Sequence, residues 1–238
     1  MTNIRKVAFI TGGSSGIGLG IAETLLQAGY RVAITSRSNE RAQSVASTLK
    51  TQYGGEVLAH ALDVRNYEDQ VDVVKQITDQ WGRLDVVIAN AGVGHFAHIE
   101  NLSVDLWRET IETNLSGPFY TIKACLPYLK ESQGYYITIS SLAGTNFFNN
   151  GAAYNASKFG VTGFTQAVML DLRDQGIKVS TIMPGSVATA FNNHVVNDAD
   201  SWKIQKEDIG ALVLDLLKMH PRTLPSKIEV RPTRPPKK

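Results

Sequence analysis

Residues 7–18 read VAFITGGSSGIG, and this stretch decides the fold. Four apolar residues at 7–10 predict a short buried strand, and the glycines after them predict a tight turn that opens a helix at Gly16. In α/β proteins such a turn presents free backbone N–H groups to a phosphate, and glycine lets the phosphate approach the backbone. The alternative is a tight strand-to-helix turn that binds nothing. The stretch therefore predicts an α/β sheet with a candidate phosphate site at its first turn.

Strands and helices alternate along the rest of the chain. Short, continuously apolar strands separated by helices predict a parallel sheet covered on both faces. Strands are predicted at 7–10, 32–34, 57–62, 84–89, 135–139, 179–183 and 227–230. Helices are predicted at 16–27, 40–51, 67–81, 103–131 with an internal break, 151–175 and 207–219. We predict one doubly wound α/β domain at residues 1–231, with a mainly parallel seven-stranded sheet, and a basic, proline-rich disordered tail at residues 232–238.

Glycines mark several of the predicted helix ends. Glycine takes the left-handed conformation at the end of a helix more readily than other residues. We expect this role at Gly29, Gly82, Gly134 and Gly176, each of which stands between a predicted helix and the next strand.

Composition limits the classes of function. The chain has 238 residues, 43% hydrophobic and 19% charged, which fits one globular domain, and its net charge is +2. Six bases and one acid lie from Pro221 onward, so the remainder is mildly acidic and no nucleic-acid partner is predicted.

Cys125 is the only cysteine, which excludes an intrachain disulfide and favours a reducing compartment. With neither a signal-peptide pattern nor an apolar run of membrane length, we expect a cytoplasmic protein without a membrane partner.

The order of the glycines after the first strand is T-G-x-x-x-G-x-G. On this motif the chain resembles the short-chain dehydrogenase/reductase family, which implies a Rossmann-like sheet and a nicotinamide dinucleotide cofactor. The resemblance places six residues of the turn around the cofactor phosphates: Gly12, Ser14, Ser15, Gly16, Ile17 and Gly18.

The end of the second strand bears on which dinucleotide is used. An NAD enzyme carries an acidic residue there to hold the adenosine ribose, but residues 35–38 read TSRS. The guanidinium of Arg37 can stack on adenine and form charge-assisted hydrogen bonds to a 2′-phosphate. The alternative is that Arg37 is an ordinary surface charge. We therefore predict NADP(H) in preference to NAD(H).

Three further segments resemble cofactor motifs of the family. Asp63-Val64 matches its adenine contact, and residues 184–189 match its P-G-x-x-x-T motif at the nicotinamide end. Residues 89–92 read ANAG where the family has N-N-A-G, so the first Asn of that motif is replaced. Asn90 could equally hold only the backbone at the end of its strand. The resemblance adds these residues to the cofactor site: Asp63, Val64, Asn90, Ala91, Gly92, Pro184, Gly185, Val187 and Thr189.

Tyr154 and Lys158 are the candidate acid–base pair. They stand four residues apart on a predicted helix and hence on one face, and a nearby ammonium lowers the pKa of a phenol. Ser141 lies thirteen residues before Tyr154 at the end of the fifth strand, the spacing that the family uses. Its alternative role is a helix-cap or turn hydroxyl. Serine and phenol would meet at the carboxyl edge of the sheet, where ligands of such sheets bind.

Asn114 matches the fourth catalytic position of the family, where an Asn distorts a helix and holds a water that joins Lys158 to solvent. The alternative is a helical Asn without a catalytic role. The family resemblance carried by these motifs implies hydride transfer between nicotinamide and a carbonyl or secondary alcohol, with Tyr154 as the general acid/base. It also implies that Lys158 hydrogen-bonds the nicotinamide ribose.

The substrate is the open question. Loops after the motif segments carry residues that we expect to line an apolar pocket: His95, Phe96, Phe147, Phe148 and Phe191. Residues 190–206 are expected to form a short lid. No metal is predicted, because His95 and His98 have no third ligand at suitable spacing.

Two alternative functions stay open. A 3-oxoacyl carrier-protein reductase ranks second, because residues 169–174 are net acidic whereas such a carrier is itself acidic. A non-catalytic NADP(H)-responsive binding protein ranks lower, because Tyr154 and Lys158 are both present. The family resemblance also implies a homo-oligomer, either a tetramer or a dimer, formed through the two long helices and the last strand.

Overall fold

A parallel sheet forms the centre of the molecule, whose computed structural model describes residues 5–234. Within that range the sheet has seven strands in the order β3-β2-β1-β4-β5-β6-β7, and every neighbouring pair is parallel. The strands are β1 Val7–Ile10, β2 Arg31–Ser36, β3 Val57–Ala61, β4 Val86–Ala89, β5 Tyr135–Ile139, β6 Lys178–Pro184 and β7 Lys227–Val230. The predicted doubly wound fold is confirmed, and the strand order reverses between β1 and β4, where such sheets bind ligands.

Helices cover both faces of the sheet. They are α1 Gly16–Gln27, α2 Asn39–Tyr53, α3 Tyr67–Trp81, α4 Val104–Ile111, α5 Gly117–Ser132, α6 Ala152–Leu172 and α7 Lys206–Lys218. On one face α1, α2 and α7 pack on strand residues such as Ile10 and Ile88, and on the other α3, α5 and α6 pack on Phe9 and Val87. Each central strand is thus buried on both sides, which is why its sequence is continuously apolar.

Three of the four predicted glycine caps are confirmed. Gly29, Gly82 and Gly176 have positive φ, but Gly134 does not. There Gln133 takes the left-handed conformation with φ 48°. Gly134 is needed for a different reason, because a Cβ at this position would lie 2.6 Å from the carbonyl oxygen of Asp85. The prediction for Gly134 was wrong because close packing, rather than φ, requires this glycine.

The predicted break in the long helix is a π-helical turn at Glu112–Ser116, between α4 and α5. Pro118 stands four residues after Asn114 and has no backbone N–H, so it cannot donate the α-helical hydrogen bond to the carbonyl of Asn114. A single wider turn accommodates this missing bond. The local sequence therefore places Asn114 in irregular helix at the centre of the molecule.

The described residues include only the first part of the predicted tail. Residues 235–238 of the predicted tail lie outside the described residues, while Pro232 lies beside Gly185, with its Cδ 3.3 Å from where a Cβ of Gly185 would be. Whether the tail is disordered stays a prediction. Among the described residues, no helix combines the length and apolar character needed to cross a membrane.

Candidate active site

The glycine turn between β1 and α1 has the shape of a phosphate cradle. Gly12 and Gly16 have φ of 63° and 53°, a conformation that favours glycine. A Cβ on Gly18 would lie 2.5 Å from the Asn90 amide nitrogen, so that position also excludes a side chain. Ser15 precedes α1, and its side chain makes no capping hydrogen bond to any described residue. The first N–H groups of α1 are thus available to an anion.

Asn90 ties this turn to the end of β4. Its side-chain amide donates to the carbonyl oxygens of Thr11 (2.9 Å) and Gly12 (3.1 Å). The Thr11 hydroxyl in turn accepts from the backbone N–H groups of Asn90 (3.0 Å) and Ala91 (3.1 Å). Asn90 therefore has the backbone-holding role that the sequence left open, and it keeps Ala91 and Gly92 beside the turn.

The segment after β6 reaches the same turn from the other side of the strand crossover. Pro184 ends β6, the Gly185 N–H donates to Val230 (2.8 Å), and Val187 pairs with Ile204. The methyl group of Thr189 lies 3.3 Å from where a Cβ of Gly16 would be. The fold thus brings together the two predicted cofactor motifs that lie farthest apart in sequence.

Arg37 and Asp63 follow β2 and β3 at the expected adenosine end. The Arg37 side chain is 66% exposed, and its Nη1 lies 3.4 Å from Oε1 of Glu109 on α4. Asp63 binds the Arg65 guanidinium, with Nε 2.9 Å from Oδ1, and these hydrogen bonds hold the pKa of the Asp63 carboxyl below its usual value. Val64 is buried against Gly117. Arg37 and Arg65 therefore lie at the end of the site where the adenosine is expected, and each is paired with a carboxylate.

Tyr154 and Lys158 lie on α6 beneath this edge. The Lys158 ammonium is 5.6 Å from the centroid of the Tyr154 ring and donates to the Ile139 carbonyl (3.0 Å). Lys158 is buried, and burial lowers its pKa to about 8. At pH 7 the Lys158 side chain is therefore charged in most molecules.

The pKa of Tyr154 differs from the sequence expectation. Lys158 was expected to lower it, but burial raises the pKa of this phenol, and the Ser141 hydroxyl acts in the opposite direction by stabilising the phenolate. Desolvation outweighs the neighbouring groups in the protein alone because it disfavours the charged form directly. Tyr154 is therefore protonated at neutral pH, the form that can donate a proton.

Ser141 has both of the roles that the sequence allowed. It begins the short 3₁₀ turn Leu142–Gly144, where its Oγ accepts from the Ala143 N–H (3.1 Å) and donates to the Pro184 carbonyl (3.4 Å). These two bonds orient the hydroxyl, which also acts on the Tyr154 phenol.

Asn114 joins the loop after β4 to α6. Its buried side chain accepts from the Val93 N–H (2.8 Å), donates to the Val93 carbonyl (2.8 Å), and donates to the Ser157 hydroxyl (3.0 Å). Ser157 donates to the Tyr154 carbonyl (2.8 Å). Asn114 thus positions the helix that carries the acid–base pair, and the water expected beside it stays a prediction.

Comparison with known families agrees with this arrangement. The family described as short chain dehydrogenase matches residues 6–200, which is most of the chain. The chain belongs to the short-chain dehydrogenase family. It is therefore an oxidoreductase with the family's Rossmann-like fold.

Relatives of this short-chain dehydrogenase cover nearly its whole length. An uncharacterized oxidoreductase of Staphylococcus aureus is 35% identical over 95% of the chain and 97% of the relative. A trans-4-hydroxycyclohexanecarboxylate dehydrogenase of Sinomonas cyclohexanicum is 37% identical over 78% of the chain and 73% of the relative.

Solved structures include NADP complexes. An alcohol dehydrogenase of the archaeon Thermococcus sibiricus, complexed with 5-hydroxy-NADP, superposes with a TM-score of 0.91 at 31% identity, covering 97% of this chain and 99% of that one. A metagenomic short-chain oxidoreductase in complex with NADP has a TM-score of 0.83 at 33% identity, covering 96% and 98%.

In this short-chain dehydrogenase, three of the five predicted pocket residues surround Tyr154. The rings of Phe96, Phe191 and Phe148 lie 5.3, 5.9 and 6.5 Å from the Tyr154 ring, centroid to centroid. Phe147 is instead 86% exposed, and His95 Nε2 is directed to Glu109 Oε2 at 2.9 Å. Phe147 and His95 are thus not part of the ring cluster around Tyr154, and which of the five residues line a substrate pocket stays a prediction.

Three functional candidates were missed by sequence reasoning. Ser157 lies three residues after Tyr154, a helical spacing that could have placed it on the site's side of α6. Asp200 stands three residues after Asn197, the spacing of a capping box, and its buried carboxylate binds His194 and Lys203 within the lid. Glu109 has no local pattern that could have revealed it, because both its partners are distant in sequence.

Proposed function

We propose that this short-chain dehydrogenase is an NADP(H)-dependent oxidoreductase that interconverts a small-molecule carbonyl and its secondary alcohol, with Tyr154 as the general acid/base. One observation carries the proposal. Tyr154, Lys158 and Ser141 converge at the carboxyl edge of the sheet, next to a glycine turn shaped for a phosphate. Acid–base groups beside a dinucleotide cradle match the needs of hydride transfer coupled to proton transfer.

The residues around the turn fit a dinucleotide. Gly12 and Gly16 give the turn the positive φ that a tight pyrophosphate-binding turn needs, Gly18 lets α1 pack closely against Asn90, and Thr189 lies beside Gly16. Arg37 supplies a guanidinium at the ribose end, where no carboxylate follows β2 directly, so a 2′-phosphate is favoured over a 2′-hydroxyl. Two structural neighbours in complex with NADP or its 5-hydroxy derivative support this choice. When bound, the reduced nicotinamide supplies the hydride that forms the new C–H bond.

The chain's own groups then act on the carbonyl oxygen. Tyr154 donates a hydrogen bond to it, and Ser141 donates a second once its hydroxyl turns from the Pro184 carbonyl. As the C=O π bond breaks, the Tyr154 phenol transfers its proton to the oxygen. The two donors stabilise the developing negative charge, an effect worth about 2–4 kcal/mol per donor in comparable sites. The Lys158 ammonium stabilises the phenolate that remains.

Substitution of Tyr154 by Phe tests the proposal. NADPH absorbance is followed with ketones, aldehydes and a 3-oxoacyl thioester, and Y154F is expected to lower turnover by about 10²–10⁴-fold because it removes only the transferable proton. The dissociation constant of NADPH, from its fluorescence, is expected to change little.

Turnover by Y154F equal to that of the parent would show that another acid serves. Preference for the 3-oxoacyl thioester over every simple carbonyl would favour the carrier-protein reductase. NADPH binding without turnover of any substrate would favour a non-catalytic binding protein.

A second part of the proposal concerns assembly. Large apolar side chains are exposed on α4, α5 and α6: Trp107, Phe119, Phe159 and Leu170. Exposed apolar residues on neighbouring helices are typical of an interface. We propose that a second copy of this chain covers them, giving a dimer or a tetramer.

A further inference from the structure

We propose that the carbonyl substrate carries an uncharged aryl group, held by the phenylalanine cage that Phe96, Phe148 and Phe191 form around Tyr154. The inference rests on the function proposed above and deepens it by naming the substrate class. Three independent features of the described loops carry it: ring geometry, exposure and the pairing of nearby charges.

The cage is assembled from three separate loops. Phe96 lies in residues 90–103 after β4, Phe148 in residues 140–151 after β5, and Phe191 in residues 185–205 after β6. The Phe96 ring lies edge to face against two other rings, at an interplanar angle of 72° to Tyr154 and of 61° to Phe148. Rings in this arrangement present edges and faces to a further ring, which aromatic groups prefer to flat stacking.

The rings of the cage are partly open to solvent. Phe96, Phe148 and Phe191 are 40%, 47% and 39% exposed. Clustered exposed aromatic surface next to a reactive group is typical of a ligand site, because covering it removes apolar area from water. An aryl group bound to the carbonyl carbon would cover this surface while its oxygen reaches Tyr154.

The charges around the cage argue against an anionic substrate. The three loops contain four basic side chains, and each lies against a carboxylate. His95 is 2.9 Å from Glu109, His98 is 3.4 Å from Glu100, and His194 is 2.6 Å from Asp200. Lys203 also binds Asp200. A carboxylate on the substrate would therefore meet no free basic side chain from these described loops, and burying it unpaired would be costly.

The lid side of the cage is held in place by packing and by Asp200. A Cβ on Gly94 would lie 2.6 Å from the Phe191 ring, so the ring rests directly on that glycine. Asp200 accepts from His194 and from the Asn197 N–H (3.1 Å), closing the lid segment just beyond Phe191. The cage is thus a formed feature of the free protein, which lowers the cost of ordering it on binding.

Three ketones and a pair of adjacent phenylalanines test the inference. With NADPH, the parent enzyme is expected to show kcat/KM for acetophenone about tenfold above that for butan-2-one, which lacks the ring, and for 4-acetylbenzoate, which adds a charge.

Phe148→Ala is expected to lower kcat/KM for acetophenone about tenfold and to change that for butan-2-one less than about twofold. Phe147→Ala is the matched control, because Phe147 is 86% exposed, and all its constants should stay near those of the parent.

The measured rates distinguish failure of the aryl cage from failure of the proposed reductase function. An unchanged NADPH dissociation constant in F148A, measured by fluorescence, shows that the variant is folded, so that a loss confined to acetophenone supports the inference. Equal losses in F147A and F148A, or butan-2-one reduced as well as acetophenone, would overturn the aryl cage while leaving the reductase intact. Reduction of 4-acetylbenzoate as fast as acetophenone would overturn the claim that the substrate is uncharged. Absence of NADPH oxidation with all three ketones, together with turnover of another carbonyl of the wider panel of ketones, aldehydes and a 3-oxoacyl thioester, would overturn the inference alone. Absence of turnover with the whole panel would overturn the proposed function.

Discussion

Lys158 is a buried cation whose environment opposes its charge. Its ammonium donates to the Ile139 carbonyl, and burial lowers its pKa to about 8 from an ordinary 10.5. Below pH 8 the ammonium is charged in both the folded and the unfolded chain, so the folded state bears the full cost of burying it. Between pH 8 and pH 10.5 only the unfolded chain stays protonated, so this cost is relieved as pH rises.

Lys158→Met tests this cost directly. The variant removes the charge at similar volume, so its free energy of unfolding at pH 7 is expected to exceed that of the parent by up to about 3 kcal/mol. The difference should shrink as pH rises from 8 to 10.5, as measured by urea denaturation at several pH values. An advantage that stays constant with pH would show that packing, not the charge, causes it.

Arg37 is the residue on which the proposed preference for NADP(H) depends. Arg37→Ala is expected to weaken NADPH binding about 10–100-fold, the usual worth of charge-assisted hydrogen bonds, and NADH binding by less than about threefold. The dissociation constants of NADPH and NADH, measured by cofactor fluorescence in the variant and the parent, give the ratio of the two effects. Glu109→Gln is the companion variant. Since Glu109 holds Arg37 at 3.4 Å, its neutralisation should tighten NADPH binding modestly. Equal losses for both cofactors in R37A would contradict the role of Arg37.

At the scale of elements, the end of α5 shows how packing can override a local pattern. Gln133 bears the positive φ that glycine usually provides, and Gly134 is required by the close approach of Asp85. The π turn before α5 is the opposite case, because the local sequence accounts for it. Pro118 cannot donate the α-helical hydrogen bond to the Asn114 carbonyl, and the helix widens where the Asn114 side chain binds the Val93 backbone.

Substitutions at the adjacent residues Gln133 and Gly134 are expected to change the stability of the protein in opposite directions. Gly134→Ala forces a Cβ to within 2.6 Å of the Asp85 oxygen and of the Leu129 side chain, so we expect a loss of about 1–3 kcal/mol in stability. Gln133→Gly relieves the left-handed strain and is expected to gain about 0.5–1 kcal/mol. Thermal unfolding of both variants measures this. Destabilisation by Q133G together with tolerance of G134A would restore the cap role to Gly134.

For the whole molecule, the exposed apolar helices predict assembly. Light scattering is expected to give a mass that is a multiple of the 26.0 kDa chain. Phe159→Glu should shift this mass towards the monomer because it places a charge on the proposed interface. Val71→Glu, on α3, is the control, since Val71 is similarly exposed but lies outside those helices. A parent mass equal to one chain at all concentrations would contradict the proposal.

Local patterns in the chain were enough to predict the alternating elements, the glycine turn, and the pairing of Tyr154 with Lys158 on one helix. These features depend on residues a few positions apart, for which hydrophobic period, turn chemistry and helical spacing are sufficient. The break around Asn114 was also predictable, although its π-helical form was not.

Folding in three dimensions decided the remainder. It joined Thr189 to Gly16, set Glu109 between Arg37 and His95, and selected Phe148 but not Phe147 for the cage. It also reversed the expected pKa shift of Tyr154, because desolvation depends on everything packed around the phenol. Such contacts join residues that are distant in sequence or that point to different sides of one loop, and burial and side-chain direction exist only once the loops have packed together.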